Sequence, residues 1–268
     1  MPTLEQTRRA RGLVSSRVSG SRVDAATRPP PPDLAGLVAC FWVGRWDLPV
    51  DAPHTTQMLG DPSVHLCFER SGPDVVSKRV VGVWTRLWER TLAGVGYVHA
   101  MKLRPGAAGA LVADASALSD RLIPIEAALG PADDPRLLDP DDEVAFDALA
   151  TFARRHLHAR PDTAQAIDAC ARVAADPGLL RAEALADAEG LSLRSLQRLF
   201  RLNVGASPKF VIRRHRLQEV AARLERGGAA DLSELAFTLG YADHAHLTRD
   251  FRAAVGKPPS AFARAVWT

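Results

Sequence analysis

The sequence is poor in cysteine, in long apolar runs and in targeting segments. Its 268 residues include 3 cysteines, whose odd number and spacing fit neither a disulfide framework nor a metal site. They predict reduced thiols in a cytoplasmic protein, with a redox-sensing pair as the alternative. The longest apolar run, near residues 34–44, is too short to cross a bilayer. Arg8 and Arg9 are not followed by an apolar segment, so no signal peptide is predicted.

The sequence also lacks the short motifs of several large enzyme families. It contains no G-x-S-x-G nucleophile elbow, no phosphate-binding P-loop and no G-x-G-x-x-G dinucleotide fingerprint. The net charge is only +3, so the chain as a whole is not strongly basic. From Arg181 to the end, however, 14 Lys and Arg residues stand against 9 Asp and Glu residues. Such a local basic excess is what binding to a phosphate backbone requires.

What the chain does contain is a repeat near its carboxyl end. Residues of a first unit (182–205) recur 50 or 51 positions later in a second unit (232–256). The matched pairs are Leu185 and Leu235, Ala186 and Ala236, Gly190 and Gly240, Leu196 and Leu247, Arg198 and Arg249, Phe200 and Phe251, Arg201 and Arg252, Val204 and Val255, Gly205 and Gly256, and, just beyond the two units, Pro208 and Pro259. The offset changes at the turn after Gly190 and Gly240, where insertions are best tolerated. The repeat predicts two copies of one helical structure.

Each unit is predicted to hold two helices joined by a tight turn. In the first unit, a helix over 182–189 ends at Gly190, and Ser192 caps the next helix. Asp243 has the same capping role in the second unit. Behind each cap, apolar residues recur at helical spacing on one face, and polar hydrogen-bond donors occupy the opposite face. This arrangement is typical of the helix-turn-helix, whose second helix enters the major groove of DNA.

A stiff connector is predicted between the two units. Ser207 caps a helix that starts at Pro208 and can run to Arg226, a length of about 28 Å. Successive major grooves on one face of DNA lie roughly 34 Å apart. The connector would therefore let one chain place both units on the same side of one duplex. The alternative, that the polar faces are merely solvated, does not explain why arginine recurs at the same position of both units.

The two units also carry the motifs of a known family. The run Leu196-Gln197-Arg198-Leu199-Phe200-Arg201, with Gly240-Tyr241-Ala242-Asp243 and His246-Leu247-Thr248-Arg249 in the second unit, resembles the AraC/XylS-type transcriptional regulators. That resemblance implies seven helices and two recognition helices on one asymmetric site in double-stranded DNA. The base contacts implied by position are Arg194, Gln197, Arg198, His244, Ala245, His246 and Arg249. The residues assigned to phosphate contacts are Ser192, Arg201, Lys209, Thr248, Arg252 and Lys257.

The amino-terminal half has a different pattern. Between residues 34 and 104, short β-prone runs alternate with turn residues, which predicts a small barrel or sandwich. The order of Phe41-Trp42, His54, Leu66-Cys67-Phe68 and Leu103-Arg104-Pro105-Gly106 resembles the effector-side domain that accompanies AraC-type regulators. This resemblance implies a cupin-like barrel. The predicted fold class is α+β, with a β-rich cupin-like barrel and helical connector followed by an all-α double helix-turn-helix.

Three segments are predicted. Residues 1–32 form a flexible basic tail and polyproline spacer, residues 33–160 an effector or dimerisation domain with a helical connector, and residues 161–268 the DNA-binding domain. A helix is also expected over the alanine-rich residues 106–117. Four of the five tryptophans lie in the middle segment and suit the wall of a small-molecule pocket, although filling of a core is the simpler interpretation. The candidate effector-pocket residues are Trp42, Trp46, His54, His65 and Trp84.

The sequence predicts a one-component transcription factor that is not an enzyme and needs no cofactor or metal. Its expected partners are double-stranded DNA and a small-molecule effector, with RNA polymerase and a second copy of the chain as further candidates. The alternative from another class is a cupin-like metal-dependent enzyme fused to a DNA-binding domain. Its candidate ligands are His54, His65, His99, Asp61, Glu69 and Cys67, but no two of these histidines have a tight metal-ligand spacing such as H-x-H. A third interpretation is an architectural DNA binder without an effector.

Overall fold

Strands occupy the amino-terminal half of the chain, and helices occupy most of the remainder. The computed structural model describes residues 13–15, 22–58, 60–225 and 232–267. The strands are β1 (Leu13–Ser15), β2 (Arg22–Arg28), β3 (Val38–Asp47), β4 (His54–Met58), β5 (His65–Ser71), β6 (Val75–Val81), β7 (Trp88–Leu92), β8 (Val95–Leu103) and β9 (Leu122–Pro124). The α-helices are α1 (Ile125–Leu129), α2 (Asp142–His156), α3 (Pro161–Ala175), α4 (Ala182–Ala188), α5 (Leu193–Asn203), α6 (Pro208–Glu225), α7 (Leu232–Thr238), α8 (His244–Val255) and α9 (Pro259–Trp267).

The strands form two antiparallel sheets. The larger sheet has the order β2-β3-β8-β5-β6-β9, and the smaller has the order β1-β4-β7. Among the described strands no pairing joins the two sheets, so the predicted barrel is not closed. The smaller sheet is built from strands of three to five residues, and its edges remain separate from β2 and β9 at the edges of the larger sheet. The mixed α and β class agrees with the sequence prediction.

The two faces of the larger sheet pack against different partners. On one face, Phe41 stacks on Phe146 of α2 with ring centroids 5.9 Å apart, and Phe68 meets Phe152 edge-on at 5.4 Å. Burial of each such side chain contributes about 1.5–3 kcal/mol. On the other face, Trp46, Val98 and other apolar residues pack with Leu92 of the smaller sheet. The alternation of side chains along each strand therefore places helices on one side and a second sheet on the other.

Residues 22–28 differ from the sequence prediction, which assigned them to a flexible tail. They form β2, which pairs with β3 from Arg22 opposite Asp47 to Arg28 opposite Phe41. Arg28 reaches α2, where Nη1 lies 2.7 Å from Glu143 Oε2. An edge strand does not need strict apolar alternation, so this segment carried little indication of a strand. Residues 1–12 and 16–21 of the predicted tail lie outside the described residues.

The alanine-rich segment after β8 also differs from the prediction. The expected helix over 106–117 is replaced by two short 3-10 turns, Ala107–Ala110 and Ala115–Leu118. Gly109 lies so close to the first unit that a Cβ atom there would stand 1.9 Å from Asn203 Oδ1. Close backbone packing against α5 therefore overrides the helix propensity of alanine.

The helical half contains two separate apolar cores. Within residues 161–225 and 232–267 there are seven helices, α3–α9, as the family resemblance implied. Leu196 and Phe200 of the first unit belong to the same apolar cluster as the large sheet and α2. Leu247 and Phe251 of the second unit belong to a different cluster. The hydrophobic core thus continues across residue 160, where the sequence predicts a domain boundary. The division into an effector domain and a DNA-binding domain stays a prediction.

Helix α6 joins these two cores. Val211 and Ile212 near its start pack in the core shared with the amino-terminal half, and Leu217, Val220 and Leu224 pack in the core of the second unit. The helix has 18 residues and is about 27 Å long. The predicted connector is therefore confirmed from Pro208 to Glu225, and Arg226 lies outside the described residues. The capping role of Ser207 is also confirmed, because its Oγ accepts from the Phe210 amide at 3.2 Å.

Candidate nucleic-acid interface

The two units repeat each other in structure as well as in sequence. Leu196 and its counterpart Leu247 are both fully buried, and so are Phe200 and Phe251. The turns also match, because Gly190 and Gly240 both have left-handed backbones, with φ values of 66° and 68°. A side chain would be strained at these positions, so glycine is needed to make the tight turn. The predicted duplication is confirmed at the level of burial and backbone conformation.

Each second helix begins at the predicted cap. Ser192 Oγ accepts from the Ser195 amide at 3.1 Å, and Asp243 Oδ1 accepts from the His246 amide at 2.6 Å. Removing such a cap costs about 1 kcal/mol of helix stability. The caps fix where α5 and α8 begin, and they set which residues of these helices face away from the core.

The seven candidate base-contact residues are all exposed. They are Arg194, Gln197, Arg198, His244, Ala245, His246 and Arg249. On α5 the three candidates follow helical spacing, with side chains on the face opposite buried Leu196 and Phe200. An exposed row of donors on the second helix of each unit is the arrangement that a helix needs to contact base edges in a major groove.

The candidate histidines of the second unit make local contacts. His244 Nε2 lies 3.2 Å from Thr248 Oγ1, one helical turn away. The His246 ring meets the edge of the Tyr241 ring, with centroids 5.2 Å apart. Both imidazoles, although exposed, therefore have a neighbouring side chain within the second unit. The first unit presents arginine and glutamine instead, so the two units differ in the chemistry that they offer to bases.

The candidate phosphate contacts have mixed surroundings. Lys209 and Arg252 are exposed, whereas Thr248 and Lys257 are partly buried. Ser192 is exposed while it caps α5. Arg201 is exposed, but its Nη1 lies 3.4 Å from Asp114 Oδ2 in the amino-terminal half. Exposed ion pairs of this kind contribute at most about 1 kcal/mol, so Asp114 holds Arg201 only weakly.

The first unit is also fastened to the amino-terminal half by buried contacts. Asn203 at the end of α5 is fully buried, and its Oδ1 accepts from Arg160 Nη2 at 3.1 Å. Ser119 Oγ donates to the Gly205 carbonyl. A Cβ atom at Gly205 would stand 2.7 Å from the Ala115 carbonyl oxygen. A displacement of these segments of the amino-terminal half would therefore displace the end of α5 as well.

Four of the five candidate effector residues lie on the inner faces of the two sheets. Trp42 Nε1 donates to His65 Nδ1 at 3.2 Å, and Trp46 Nε1 donates to the Ala93 carbonyl at 3.3 Å. His54 pairs with Leu92 on the adjacent strand, and directly opposite residues project to the same face. Leu92 packs with Trp46. No described contact joins Trp84 to the other four, although its Nε1 is buried without a partner in the described residues.

The groups in this interior are mostly uncharged or ion-paired. Burial lowers the pKa of His65 to about 4, which leaves Nδ1 free to accept from Trp42 at neutral pH. Burial also raises the pKa of the Cys67 thiol to about 12, so it is not a reactive thiolate. Arg90 pairs with Glu69 across the two sheets and lies 5.5 Å from the Trp46 ring. In the described residues, no group of three His, Cys, Asp or Glu side chains is placed to hold a metal ion.

A groove lies elsewhere on the amino-terminal half. It has a volume of about 450 Å³ and runs along β6 and β9, where Val76, Arg79, Leu122 and Pro124 line it. None of the candidate effector residues borders this groove. It is a surface feature at the edge of the larger sheet, separate from the space between the sheets.

The sequence did not predict an electrostatic interaction between the amino-terminal half and α6. Asp61 pairs with Lys102, and Asp61 also interacts with Arg214 of α6, which is 3% exposed. Burial alone would raise the pKa of the Asp61 carboxyl, but Lys102, His65 and Arg214 hold it well below its usual range. Burial lowers the pKa of Arg214 to about 10, so it remains a cation at neutral pH. One feature of the sequence could have indicated this link. It is the run Arg213-Arg214-His215-Arg216, which interrupts the apolar residues of α6.

Two helix-turn-helix units on one connector, each with an exposed polar second helix, define a double helix-turn-helix DNA-binding protein. A family model described as a helix-turn-helix domain matches residues 185–265. A second model, for a domain of unknown function (DUF6597), matches residues 26–124. Residues 185–265 therefore belong to a helix-turn-helix family, and residues 26–124 belong to a separate family of unknown function.

Similarities to solved structures are weak. ToxT from Vibrio cholerae, as an apo variant, has 10% sequence identity and a TM-score of 0.41 over 84% of this chain and 97% of its own. ToxT bound to an unsaturated fatty acid has 11% identity and a TM-score of 0.40 over 83% and 94%. The AraC-like activator CuxR has 14% identity and a TM-score of 0.25 over 76% and 83%. A sequence comparison with curated proteins finds no match. None of the helices in the described ranges has the length and apolar composition for crossing a membrane.

Proposed function

We propose that the chain binds one asymmetric, two-part DNA site, with α5 in one major groove and α8 in the next. The observation that carries this proposal is the exposure of all seven candidate base contacts on two duplicated helices. Connector α6 is about 27 Å long, close to the distance of roughly 34 Å between successive grooves. A single chain would thus bind both halves, and different side chains in the two units would make the halves unlike.

The side chains suggest what each unit recognises. In the first unit, Arg194 and Arg198 suit guanine O6 and N7, and Gln197 suits adenine. In the second unit, Arg249 suits guanine, and Ala245 can pack on a thymine methyl group. The flanking hydroxyl and cationic residues, Ser192, Arg201, Lys209, Thr248, Arg252 and Lys257, would contact phosphates. Such contacts set affinity and register without reading sequence.

Selection of bound sequences from a random DNA pool by the full-length protein tests the proposal. We expect an enriched sequence with two dissimilar halves whose centres lie about 10–10.5 base pairs apart. Arg181→Ala, which removes an exposed cation outside α5 and α8, is the matched control and should leave the enriched sequence unchanged. Enrichment of a single short element, or of no sequence, would refute the two-part site.

For regulation, we propose that a small molecule binds between the two sheets, in an open arrangement of cupin-like type. The support is the cluster of Trp42, Trp46 and His65 on the inner face of the larger sheet. His65 and Lys102 both border Asp61, which interacts with Arg214 of α6. A ligand that displaced Asp61 would thus change the position of α6, the connector between the two units. Ligands act by differential affinity for such alternative states.

A thermal-shift screen of metabolites, repeated with the DNA-binding assay for every hit, tests this regulation. We expect a hit to raise the melting temperature and also to change DNA affinity, because binding to one folded state stabilises it. Trp42→Phe, which removes the donor to His65, should weaken the response. Tyr97→Phe, which removes a donor on the opposite face of the same sheet, is the matched control. If every hit stabilised the protein without changing DNA affinity, the proposed regulation would be wrong.

The proposal extends to partners that act with DNA in transcription control. We propose that the chain acts as an AraC/XylS-type transcription regulator, with RNA polymerase and a second copy of the chain as further partners. The chain acts in this account by binding and not by catalysis. The measured mass of the protein on its selected DNA would distinguish one copy from two.

A further inference from the structure

Helix α6 changes from one apolar core to the other across a run of four cationic or titratable residues. Ile212 packs in the core shared with the amino-terminal half, and Leu217 packs in the core of the second unit. Between them lie residues 213–216, Arg-Arg-His-Arg. Arg214 interacts electrostatically with Asp61 of the amino-terminal half, whereas Arg213 and Arg216 contact the second unit. This part of the connector therefore holds the second unit through polar contacts.

The first of these contacts joins the connector to the recognition helix. Arg213 Nη2 lies 2.5 Å from Oδ1 of Asp250 in α8, and the Asp250 side chain is only 16% exposed. The other carboxylate oxygen of Asp250 accepts from the Tyr241 hydroxyl at 3.0 Å. Burial and Asp250 raise the pKa of Tyr241, so its hydroxyl keeps the proton that it donates. One carboxylate thus ties together the turn of the second unit, its recognition helix and the connector.

A second contact joins the connector to the same turn. Arg216 Nη1 donates to the carbonyl oxygens of Leu239 and Gly240, at 3.1 and 3.4 Å. Its guanidinium also lies 5.1 Å from the centroid of the Tyr241 ring. A cation at the carboxyl end of a helix is favourable, because the unpaired carbonyls there carry partial negative charge. Arg213 thus reaches Tyr241 through Asp250, and Arg216 contacts its ring directly, so two residues of α6 restrain rotation of the second unit about the connector.

These contacts depart from the repeat. The residues of the first unit that correspond to Tyr241 and Asp250 are Leu191, which packs against the shared apolar core, and Leu199, which is buried. The second unit thus has a polar pair where the first has an apolar one. An acidic residue on a DNA-facing helix weakens attraction to phosphate, so Asp250 carries an electrostatic cost for DNA binding. A role of the Asp250 carboxylate in setting the position of α8 would offset that cost.

We infer that Arg213, Asp250 and Tyr241, assisted by Arg216, are positioning residues that fix the separation at which the two units accept their half-sites. This inference rests on the two-part DNA site proposed above. One base pair advances along the duplex by about 3.4 Å and also rotates the second half-site around the axis. A second unit locked to the connector would accept one spacing, and a loosened unit would accept several. The cluster would thus determine specificity for spacing and not for base sequence.

The random-pool selection, carried out in parallel with wild-type protein and Asp250→Asn, tests the inference. The variant removes a negative charge, so charge alone predicts tighter binding to all DNA. We expect instead that the wild type enriches one spacing and that Asp250→Asn enriches spacings that differ by one or more base pairs. Discrimination between the preferred spacing and its neighbours should fall about fivefold or more. Asp187→Asn, at an exposed position of α4, is the matched charge control and should keep the single spacing.

The outcomes separate the two ideas. If the wild type enriches no two-part sequence, the proposed DNA site fails, and the inference fails with it. If the wild type enriches one spacing and Asp250→Asn enriches the same spacing alone, only the positioning role is overturned. Exchange of the charges in Arg213→Asp with Asp250→Arg should narrow the distribution again relative to Asp250→Asn. If Asp250→Asn unfolded the second unit, the variant would enrich neither a defined spacing nor the second half-site. That result would overturn a purely positioning role.

Discussion

Replacing Phe251 with alanine is expected to unfold the second unit while the first unit and the two sheets remain folded. Phe251 is fully buried in the separate core of the second unit, where its ring meets the edge of Phe262 at 5.5 Å. A Phe→Ala change in such a core costs about 3–5 kcal/mol, which is as large as the stability of roughly 2–5 kcal/mol expected for the 36 residues of 232–267. The rest of the chain keeps its own core, so the loss should be local.

Calorimetry and hydrogen exchange would measure this separation. We expect the melting profile of Phe251→Ala to lose its second-unit component, with faster exchange in α7–α9 and unchanged protection in α2 and α5. Phe200→Ala is the matched control, because Phe200 occupies the same position in the first unit but packs in the core shared with the amino-terminal half. That control should destabilise the sheets as well. Equal loss of protection throughout the chain in both variants would show that the two cores unfold as one.

Replacing Arg198 or Arg249 with alanine is expected to weaken binding to the selected DNA by about 1–3 kcal/mol. Each loss should be accompanied by relaxed base preference in one half of the site, at the half that the altered unit contacts. The physical reason is that a bidentate contact to guanine is lost, while the remaining phosphate contacts are kept. Both side chains are exposed at equivalent positions of α5 and α8, so neither change should alter the fold.

Competition binding on the selected site and on single-base variants of each half would measure these effects. Arg194→Ala, on the same helix as Arg198, should relax preference in the same half as Arg198→Ala and not in the other. If either variant lost affinity equally on every sequence, its arginine would contact phosphate alone. If both variants relaxed the same half, α5 and α8 would not be reading separate half-sites.

The carboxyl-terminal half could be predicted from sequence because its determinants are local. Glycine at Gly190 and Gly240, capping residues at Ser192 and Asp243, and apolar residues at helical spacing each act within one or two helical turns. The structure agrees at all these points, with left-handed glycines, satisfied caps and buried apolar faces. The duplication added independent support, since each unit predicted the other.

The features that sequence did not reveal depend on contacts between distant segments. Strand β2 is defined by its pairing with β3, and the 3-10 turns near Gly109 are set by the close approach of Asn203. The single core shared by Phe41 and Phe200 could not be inferred from either segment alone. The link between Asp61 and Arg214 is of the same kind, because the partners lie in different halves of the chain.

The central claim, that one chain places two duplicated helices in consecutive major grooves, is tested most directly by methylation interference on the selected DNA. Methylation of guanine N7 blocks the major-groove contacts that arginine makes. We expect interference at two groups of guanines on one face of the duplex, centred about 10–10.5 base pairs apart. Arg198→Ala should weaken interference at guanines of one group, and Arg249→Ala should weaken it at guanines of the other. Interference confined to a single groove, or two groups on opposite faces of the duplex, would contradict the account.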